Sequence, residues 1–326
     1  MHVLDPFLPI RVEMTSNTVK GAISAWLTGL GTMGNIFVFV KYMHVFAGRE
    51  MKPIHLILIH LAVTNIMTLL SQGVPGTLAV LGVRNFLDDT GCKSVVYLSR
   101  IARGLSICTT GLLKVVQAIT MSPRQSGWRK LQPSSAWHLL PLCLFFWILN
   151  SSIGMNLLLY IISISKNSSK GNMNYVPCFF QPENPKVKWT FLAAMVVRDI
   201  MFLATMGTAS VHIIFLLHKH HQRALCLQIS KSLHKAAPEV RASKSVLLLM
   251  LCFVFFYCTD FVFSLFVISF RENNSFLLYI WNFINLGYAI VSPFVLIHRE
   301  GHLTECRRPL WNTRDTEKLC IPWPFP

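Results

Sequence analysis

Seven long apolar blocks alternate with short polar segments along this chain, and they constrain the fold more than any other feature. The blocks are residues 22–40, 54–81, 95–120, 136–163, 189–217, 245–270 and 276–297. A helix needs about 20 apolar residues to cross the hydrocarbon core of a bilayer, and each block is close to that length or longer. We therefore predict an all-α membrane protein, a bundle of seven transmembrane helices with no separate soluble catalytic domain.

The overall composition agrees with lipid as the solvent of the apolar blocks. Hydrophobic residues make up 53% of the chain and charged residues only 13%, which is unlike an ordinary soluble domain. We divide the chain into an N-terminal segment (1–20), a seven-helix transmembrane domain (21–298) and a C-terminal tail (299–326).

The Lys and Arg residues predict the orientation of the bundle. If the N-terminus is extracellular, 17 of the 30 Lys and Arg residues lie on cytoplasmic segments and 9 on extracellular segments. Membrane proteins carry an excess of Lys and Arg on their cytoplasmic loops, so we predict an extracellular N-terminus and a cytoplasmic C-terminus. The formal net charge of +16 follows from this bias and does not indicate a nucleic-acid partner.

Two features of the predicted extracellular side are candidates for covalent modification. Cys92 precedes the third block and Cys178 follows the fourth, so an oxidising compartment would allow a disulfide between them. Asn167-Ser168-Ser169 matches the N-glycosylation pattern and lies in the second extracellular loop. Asn150 also matches that pattern, but it falls inside the fourth block and we discount it.

Charged residues inside the blocks carry most of the functional information, because a charge is costly in hydrocarbon. Arg100 and Arg103 share one face of the third helix, about 8 to 12 Å below its predicted outer end. Arg198, Asp199 and Asp260 lie at a similar predicted depth. One interpretation is a set of buried ion pairs that only holds the bundle together. The other is a ligand-binding site made by Arg100, Arg103, Asp199 and Asp260, in which an arginine meets an anionic or polar ligand.

Lys114 lies near the predicted cytoplasmic end of the third helix. We favour the interpretation that its ammonium group reaches the inner lipid headgroups over a role in coupling. The sequence lacks metal-ligand spacing, a Gly-x-Ser-x-Gly or His-Glu-x-x-His motif and a phosphate-binding loop. We therefore predict no enzyme activity, no metal and no cofactor, whereas a transporter or channel remains an alternative to a receptor.

Several stretches of the sequence together resemble the vomeronasal type 1 receptors. They are Arg-Asn-Phe-Leu-Asp-Asp at 84–89, Gly-Cys-Lys at 91–93, Tyr-Leu-Ser-Arg-Ile-Ala-Arg-Gly-Leu-Ser at 97–106, Trp-Ile-Leu-Asn at 147–150, Phe-Val-Phe-Phe-Tyr at 253–257 and Ser-Pro-Phe-Val at 292–295. The resemblance covers about residues 20 to 300. It departs from the family pattern at Gly111, where a cysteine is expected, and at Lys114, where a small polar residue is expected.

The resemblance implies a plasma-membrane G-protein-coupled receptor for a small pheromone-like ligand, acting on a heterotrimeric G protein of the inhibitory class. Gln117 stands where the larger rhodopsin-like pattern carries an arginine at the inner end of the third helix. With Arg124, Lys235 and Lys244 it forms our candidate set for G-protein coupling, although membrane phosphate explains the basic loop equally well. A poorly functional member of the family is a third alternative, because Lys114 lies in the coupling region.

Overall fold

The computed structural model describes residues 8–47, 52–83, 87–123, 127–133, 135–163, 178–180, 185–228, 251–259, 262 and 275–305. Its main elements are seven helices. They are α1 (Leu8–Ala47), α2 (Pro53–Val80), α3 (Asp89–Met121), α4 (Leu140–Tyr160), α5 (Pro185–Gln228), α6 (251–259) and α7 (Ser275–Glu305). Short 3₁₀ turns cover Gly127–Leu131 and Ala136–Leu139.

The described helices confirm the predicted class of an all-α membrane protein. Six of them, α1 to α5 and α7, are long and apolar enough to cross a bilayer. The predicted sixth span, 245–270, lies partly outside the described residues, but 251–259 and Val262 within it are helical.

α3 forms the centre of the bundle. In its apolar segment 78% of the residues are buried, against 28% in α1, α4 and α5. It packs against α2, α4 and α5, while α1 packs against α2 and α7. The outward faces of the peripheral helices carry large apolar side chains, such as Trp26 and Met33 on α1, as expected for surfaces that contact lipid.

α3 begins earlier than the apolar pattern predicts. Its first residue is Asp89 instead of Val95, because the Asp88 carboxylate accepts a hydrogen bond from the Gly91 backbone N–H at 2.7 Å and caps the helix. Arg100 and Arg103 consequently lie about 16 and 21 Å along the helix axis from its start, deeper than the predicted 8 to 12 Å. Hydrophobicity marks the part of a helix that lies in lipid, whereas capping marks where the helix begins.

The fourth predicted block is not helical throughout. Residues Ile161–Ser163 form strand β1, which pairs antiparallel with β2 (Cys178–Phe180), so Ser163 is opposite Cys178. The helix prediction up to residue 163 was therefore wrong at its end, where β-branched residues and a partner strand favour extended backbone. The strand β2 also contacts α3.

α2 contains a local change of helical geometry. Its residues Leu69–Gly73 form a π-helical turn directly before Pro75. Proline lacks a backbone N–H and its ring collides with the carbonyl group four residues earlier, so the wider turn accommodates Pro75 without ending the span. Gln72 of this turn lines a cavity between α2, α3, α6 and α7.

Candidate ligand-binding site

A cavity lies between α2, α3, α6 and α7. It is lined by Asn65, Thr68, Gln72, Arg103, Ser106, Phe256, Tyr257, Ile284, Asn285, Tyr288 and Ala289, and the space between their atoms, part of which is open to solvent, is about 400 Å³. The Cys92 end is the end of the bundle at which α3 begins, and the Ser122 end is the opposite one. Arg103 supplies the only positive charge among these lining residues, and no lining residue is acidic.

The Arg103 side chain joins three helices at this cavity. Its Nη1 donates a hydrogen bond to Asn285 Oδ1 on α7 at 2.8 Å, and its guanidinium carbon lies 5.5 Å from the centroid of the Tyr257 ring on α6. The Tyr257 hydroxyl donates in turn to the Arg103 backbone carbonyl at 3.2 Å. A guanidinium over an aromatic face gains a cation–π attraction, so these contacts fix the position of the charge.

A chain of hydrogen-bonded side chains begins at Asn65, which lines the cavity, and continues to Asn35 and Ser292. Asn35 Nδ2 donates to the carbonyl oxygens of Gly31 and Ala289, each at 2.8 Å. Asn65 Nδ2 donates to Asn35 Oδ1 at 3.0 Å and to Ser292 Oγ at 2.9 Å. The network therefore ties α1, α2 and α7 together. A separate Thr110–Tyr288 hydroxyl contact at 3.2 Å joins α3 to α7.

A second polar cluster connects α3, α4 and α5. Arg198 Nη1 donates to Asn150 Oδ1 at 2.8 Å, and its Nε donates to Asp199 Oδ1 at 2.8 Å. Nη2 forms an ion-pair contact of 2.7 Å with the same carboxylate oxygen, although without hydrogen-bond alignment. A Cβ atom on Gly104 would collide with Asn150 Oδ1 and approach Arg198 Nη1, so glycine is needed for the three helices to meet here.

The structure separates the predicted site residues. Arg103 lines the cavity, whereas Arg100 and Asp199 are not among the lining residues. Arg100 is half-buried and forms no hydrogen bond or ion pair with the residues that the structure describes. Asp199 is engaged by Arg198, its neighbour on α5. Asp260 lies outside the described residues, so its place in the site stays a prediction.

Sequence reasoning missed the uncharged partners of these arginines. Asn285 and Tyr257 position Arg103, and Asn150 holds Arg198. An amide in the middle of an apolar block was the available signal, because a lone amide in lipid requires a partner. Asn150 is only 2% exposed, which agrees with discounting it as a glycosylation site.

The predicted coupling residues lie mostly beyond the described part of the chain. Gln117 is described: it is buried near the Ser122 end, and neither its Oε1 nor its Nε2 has a hydrogen-bond partner. Arg124, Lys235 and Lys244 are outside the described residues, as is Asn167.

Lys114 corrects an interpretation made from the sequence. It is 1% exposed and among the largest fully buried side chains of the bundle. Its ammonium group therefore points into the protein and does not reach the inner headgroups as predicted. The residues at 103, 110, 114 and 117 follow a helical spacing on α3, which places Lys114 on the same inward face as Arg103.

Cys92 is completely buried and disulfide-bonded. The strand β2 begins at Cys178 and contacts α3, the helix that carries Cys92. The pairing of Cys92 with Cys178 stays a prediction.

The sequence profile of the vomeronasal organ pheromone receptor family matches residues 22–308. This chain belongs to that family. Vomeronasal type-1 receptor 4 from Homo sapiens is 32% identical over 294 residues, which cover 87% of this chain and 95% of the relative. Olfactory receptor class A-like protein 1 from Danio rerio is 31% identical over 286 residues, which cover 86% of this chain and 89% of the relative.

The fold has a counterpart among solved structures. Squid rhodopsin superimposes with a TM-score of 0.66 at 13% sequence identity, covering 90% of this chain and 82% of that chain. This similarity confirms the seven-helix fold and carries no information on the ligand. Family and fold together identify the vomeronasal-family chain as a G-protein-coupled chemosensory receptor and a multi-pass protein of the plasma membrane.

Proposed function

We propose that this receptor binds a small pheromone-like ligand in the cavity between α2, α3, α6 and α7, and that ligand binding activates an inhibitory-class G protein. The observation that carries the proposal is the position of Arg103, whose guanidinium lines the cavity between an α7 amide and an α6 ring. The receptor acts by binding and conformational change, without a cofactor and without enzyme chemistry.

The ligand group that meets Arg103 is an anion or a strong hydrogen-bond acceptor. A guanidinium offers five N–H donors in a planar fork and cannot accept a hydrogen bond. Carboxylates and related anions match this fork in a bidentate manner. Arg100 lies one turn away on α3 and adds positive charge without a hydrogen-bonded or ion-paired partner in the described chain, which supports an acidic ligand further. We keep Asp260 in the proposed site, where its negative charge limits the excess of positive charge from Arg100 and Arg103.

Arg103 also offers a route from ligand to coupling. Its side chain bonds to α7 through Asn285, and its backbone carbonyl accepts a bond from Tyr257 on α6. A ligand that draws the guanidinium toward itself changes the relative stability of these α6 and α7 contacts. It thereby shifts the equilibrium between closed and open arrangements of the Ser122 end.

The proposed partner surface lies at the Ser122 end, on the cytoplasmic side. Gln117 presents a buried amide without hydrogen-bond partners there. The basic residues Arg124, Lys235 and Lys244 complete the surface that we assign to the G protein.

We place the Cys92 end outside, with Cys92 joined to Cys178 and a glycan on Asn167. Loss of the glycan mass shift in Asn167→Gln, but not in Asn150→Gln, is the expected result in a eukaryotic host.

The decisive experiment is a reconstitution of the full chain in lipid nanodiscs with purified heterotrimers. A panel of small organic acids and their methyl esters is screened for stimulated nucleotide exchange on an inhibitory-class G protein, with a stimulatory-class protein as the control. We expect exchange that depends on an acid and on the inhibitory-class protein. In vesicles the same acids should produce no flux.

Two outcomes would contradict the proposal. Flux of an acid without nucleotide exchange would favour the transporter alternative. Normal surface expression with no exchange for any compound would favour a poorly functional receptor, in which the buried Lys114 impairs the coupling region.

A further inference from the structure

Three buried oxygen atoms of the cavity-lining side chains have no hydrogen-bond partner among the residues that the structure describes. They are Asn65 Oδ1 and Gln72 Oε1 on α2 and Ser106 Oγ on α3. Ser106 lies close to the Tyr257 hydroxyl, whose proton goes to the Arg103 carbonyl oxygen, so Ser106 can donate to Tyr257 while its own Oγ still lacks a donor. Burial removes water from polar atoms at a considerable energetic cost, and native proteins leave few such atoms unpaired. The wall formed by α2 and α3 therefore offers hydrogen-bond acceptors to a molecule that enters the cavity.

The orientation of the Asn65 amide is fixed by its neighbours. Asn35 must direct Nδ2 toward Gly31 and Ala289, because both partners are carbonyl oxygens that only accept. Asn35 Oδ1 then faces Asn65, and it accepts a hydrogen bond from Asn65 Nδ2. Asn65 Oδ1 is consequently left as an acceptor, and rotation of the amide would place two oxygen atoms against each other.

The missing partner must donate hydrogen bonds and is best uncharged. A carbonyl oxygen accepts only, so Asn65 Oδ1 requires an O–H or N–H group. An ammonium group would meet the positive charge of Arg103; none of the described lining residues is acidic, and the carboxylate that we propose for Asp260 is assigned to the arginines. A hydroxyl group satisfies both conditions, and it can also pair with the Ser106 hydroxyl as donor or acceptor.

We propose that Asn65 and Ser106 form an inner subsite for a neutral hydroxyl group, separate from the anion contact at Arg103. Gln72 is bonded to Ser99 and lies about two helical turns from Asn65, so it belongs to another level of the cavity. The hydroxyl belongs to an ordered water molecule or to the ligand itself. The second source rests on the function proposed above, and the first does not. A ligand that fills both places carries an acceptor at one end and a hydroxyl group at the other.

The test compares two buried serines in the purified, full-length receptor without ligand. Ser210 on α5 is the matched control, because its Oγ is also buried and unpaired in the described structure but does not line the cavity. If the subsite holds water, Ser106→Ala loses hydrogen bonds and lowers the midpoint of thermal unfolding by about 2 °C or more. Ser210→Ala should leave the midpoint unchanged or raise it, since it removes an unsatisfied hydroxyl group.

A second arm uses cyclohexanol and methylcyclohexane, which differ by a hydroxyl group in place of a methyl group. We expect cyclohexanol to raise the midpoint of the wild-type receptor more than methylcyclohexane does. This preference should persist in Ser210→Ala and disappear in Ser106→Ala. If Ser106→Ala loses the preference for cyclohexanol but keeps the wild-type unfolding midpoint without ligand, the hydroxyl belongs to the ligand. If Ser106→Ala lowers the unfolding midpoint without ligand, the hydroxyl belongs to a water molecule.

The proposal is overturned if Ser106→Ala and Ser210→Ala behave alike in both arms. Neither arm uses a G protein or an agonist. Failure of the receptor to stimulate nucleotide exchange would therefore refute the proposed function while leaving this result interpretable.

Discussion

Two polar clusters lie at neighbouring levels of the bundle, and they use arginine in different ways. In the α3–α4–α5 cluster, Arg198 contacts Asp199 and Asn150 in a space so tight that Gly104 cannot carry a side chain. Arg103 instead contacts Asn285 and Tyr257 on the wall of the α2–α3–α6–α7 cavity. An intramembrane charge is therefore not itself the sign of a binding site. The close packing around Arg198 and the cavity beside Arg103 separate an arginine that holds helices together from one that can reach a ligand.

The largest expected effect comes from breaking the closed cluster. Arg198→Met leaves Asp199 and Asn150 without their partner, and loss of one member of a buried ion pair costs about 3 to 5 kcal/mol. We expect a severe loss of thermal stability and of surface expression, measured by fluorescence-detected unfolding and by antibody staining. The double variant Arg198→Met/Asp199→Leu should recover much of the loss, because no uncompensated carboxylate remains. A double variant as unstable as Arg198→Met would show that the ion pair is not the source of the effect.

A smaller loss of stability is expected from a side chain at position 104. A methyl group in Gly104→Ala collides with Asn150 and forces the helices apart, and overpacking of this kind costs about 1 to 3 kcal/mol. Gly207→Ala on α5 is the control, since a Cβ atom there meets no atom within 4 Å. The control should be neutral or slightly stabilising because alanine favours helix. Equal unfolding midpoints for the two variants would contradict the tight packing of this cluster.

The smallest effect on stability is expected at the cavity. Asn285→Leu removes the acceptor of Arg103 Nη1, but the guanidinium keeps its contact with the Tyr257 ring and its access to the cavity. We expect a loss of about 1 kcal/mol, near the net value of an ordinary hydrogen bond, with surface expression retained. If Asn285→Leu is as damaging as Arg198→Met, the two clusters are both structural and the comparison fails.

The sequence predicted the positions of the helices well, but it predicted their ends and the side-chain partners of the charged residues poorly. The reason is physical. Hydrocarbon imposes a length and a composition on each span, so the seven apolar blocks could be read directly. The start of α3 at Asp89 depends on a cap, and the strand Ile161–Ser163 depends on pairing with β2, so neither is encoded in hydrophobicity. Likewise, Arg100, Arg103 and Asp199 could be placed at one depth, but only side-chain geometry shows that Asp199 pairs with Arg198 and that Arg103 faces the cavity.

The central claim is that Arg103 recognises the ligand, and Arg103→Lys tests it most directly. Lysine keeps the positive charge and loses the planar fork that pairs with a carboxylate. The measurement is the potency of an acid agonist from the screen and of its methyl ester, at matched surface expression. We predict that the acid loses at least about tenfold in potency, whereas the ester changes little, because each 1.4 kcal/mol of lost interaction corresponds to tenfold. Equal losses for acid and ester would contradict the account and would place the anion contact elsewhere in the bundle.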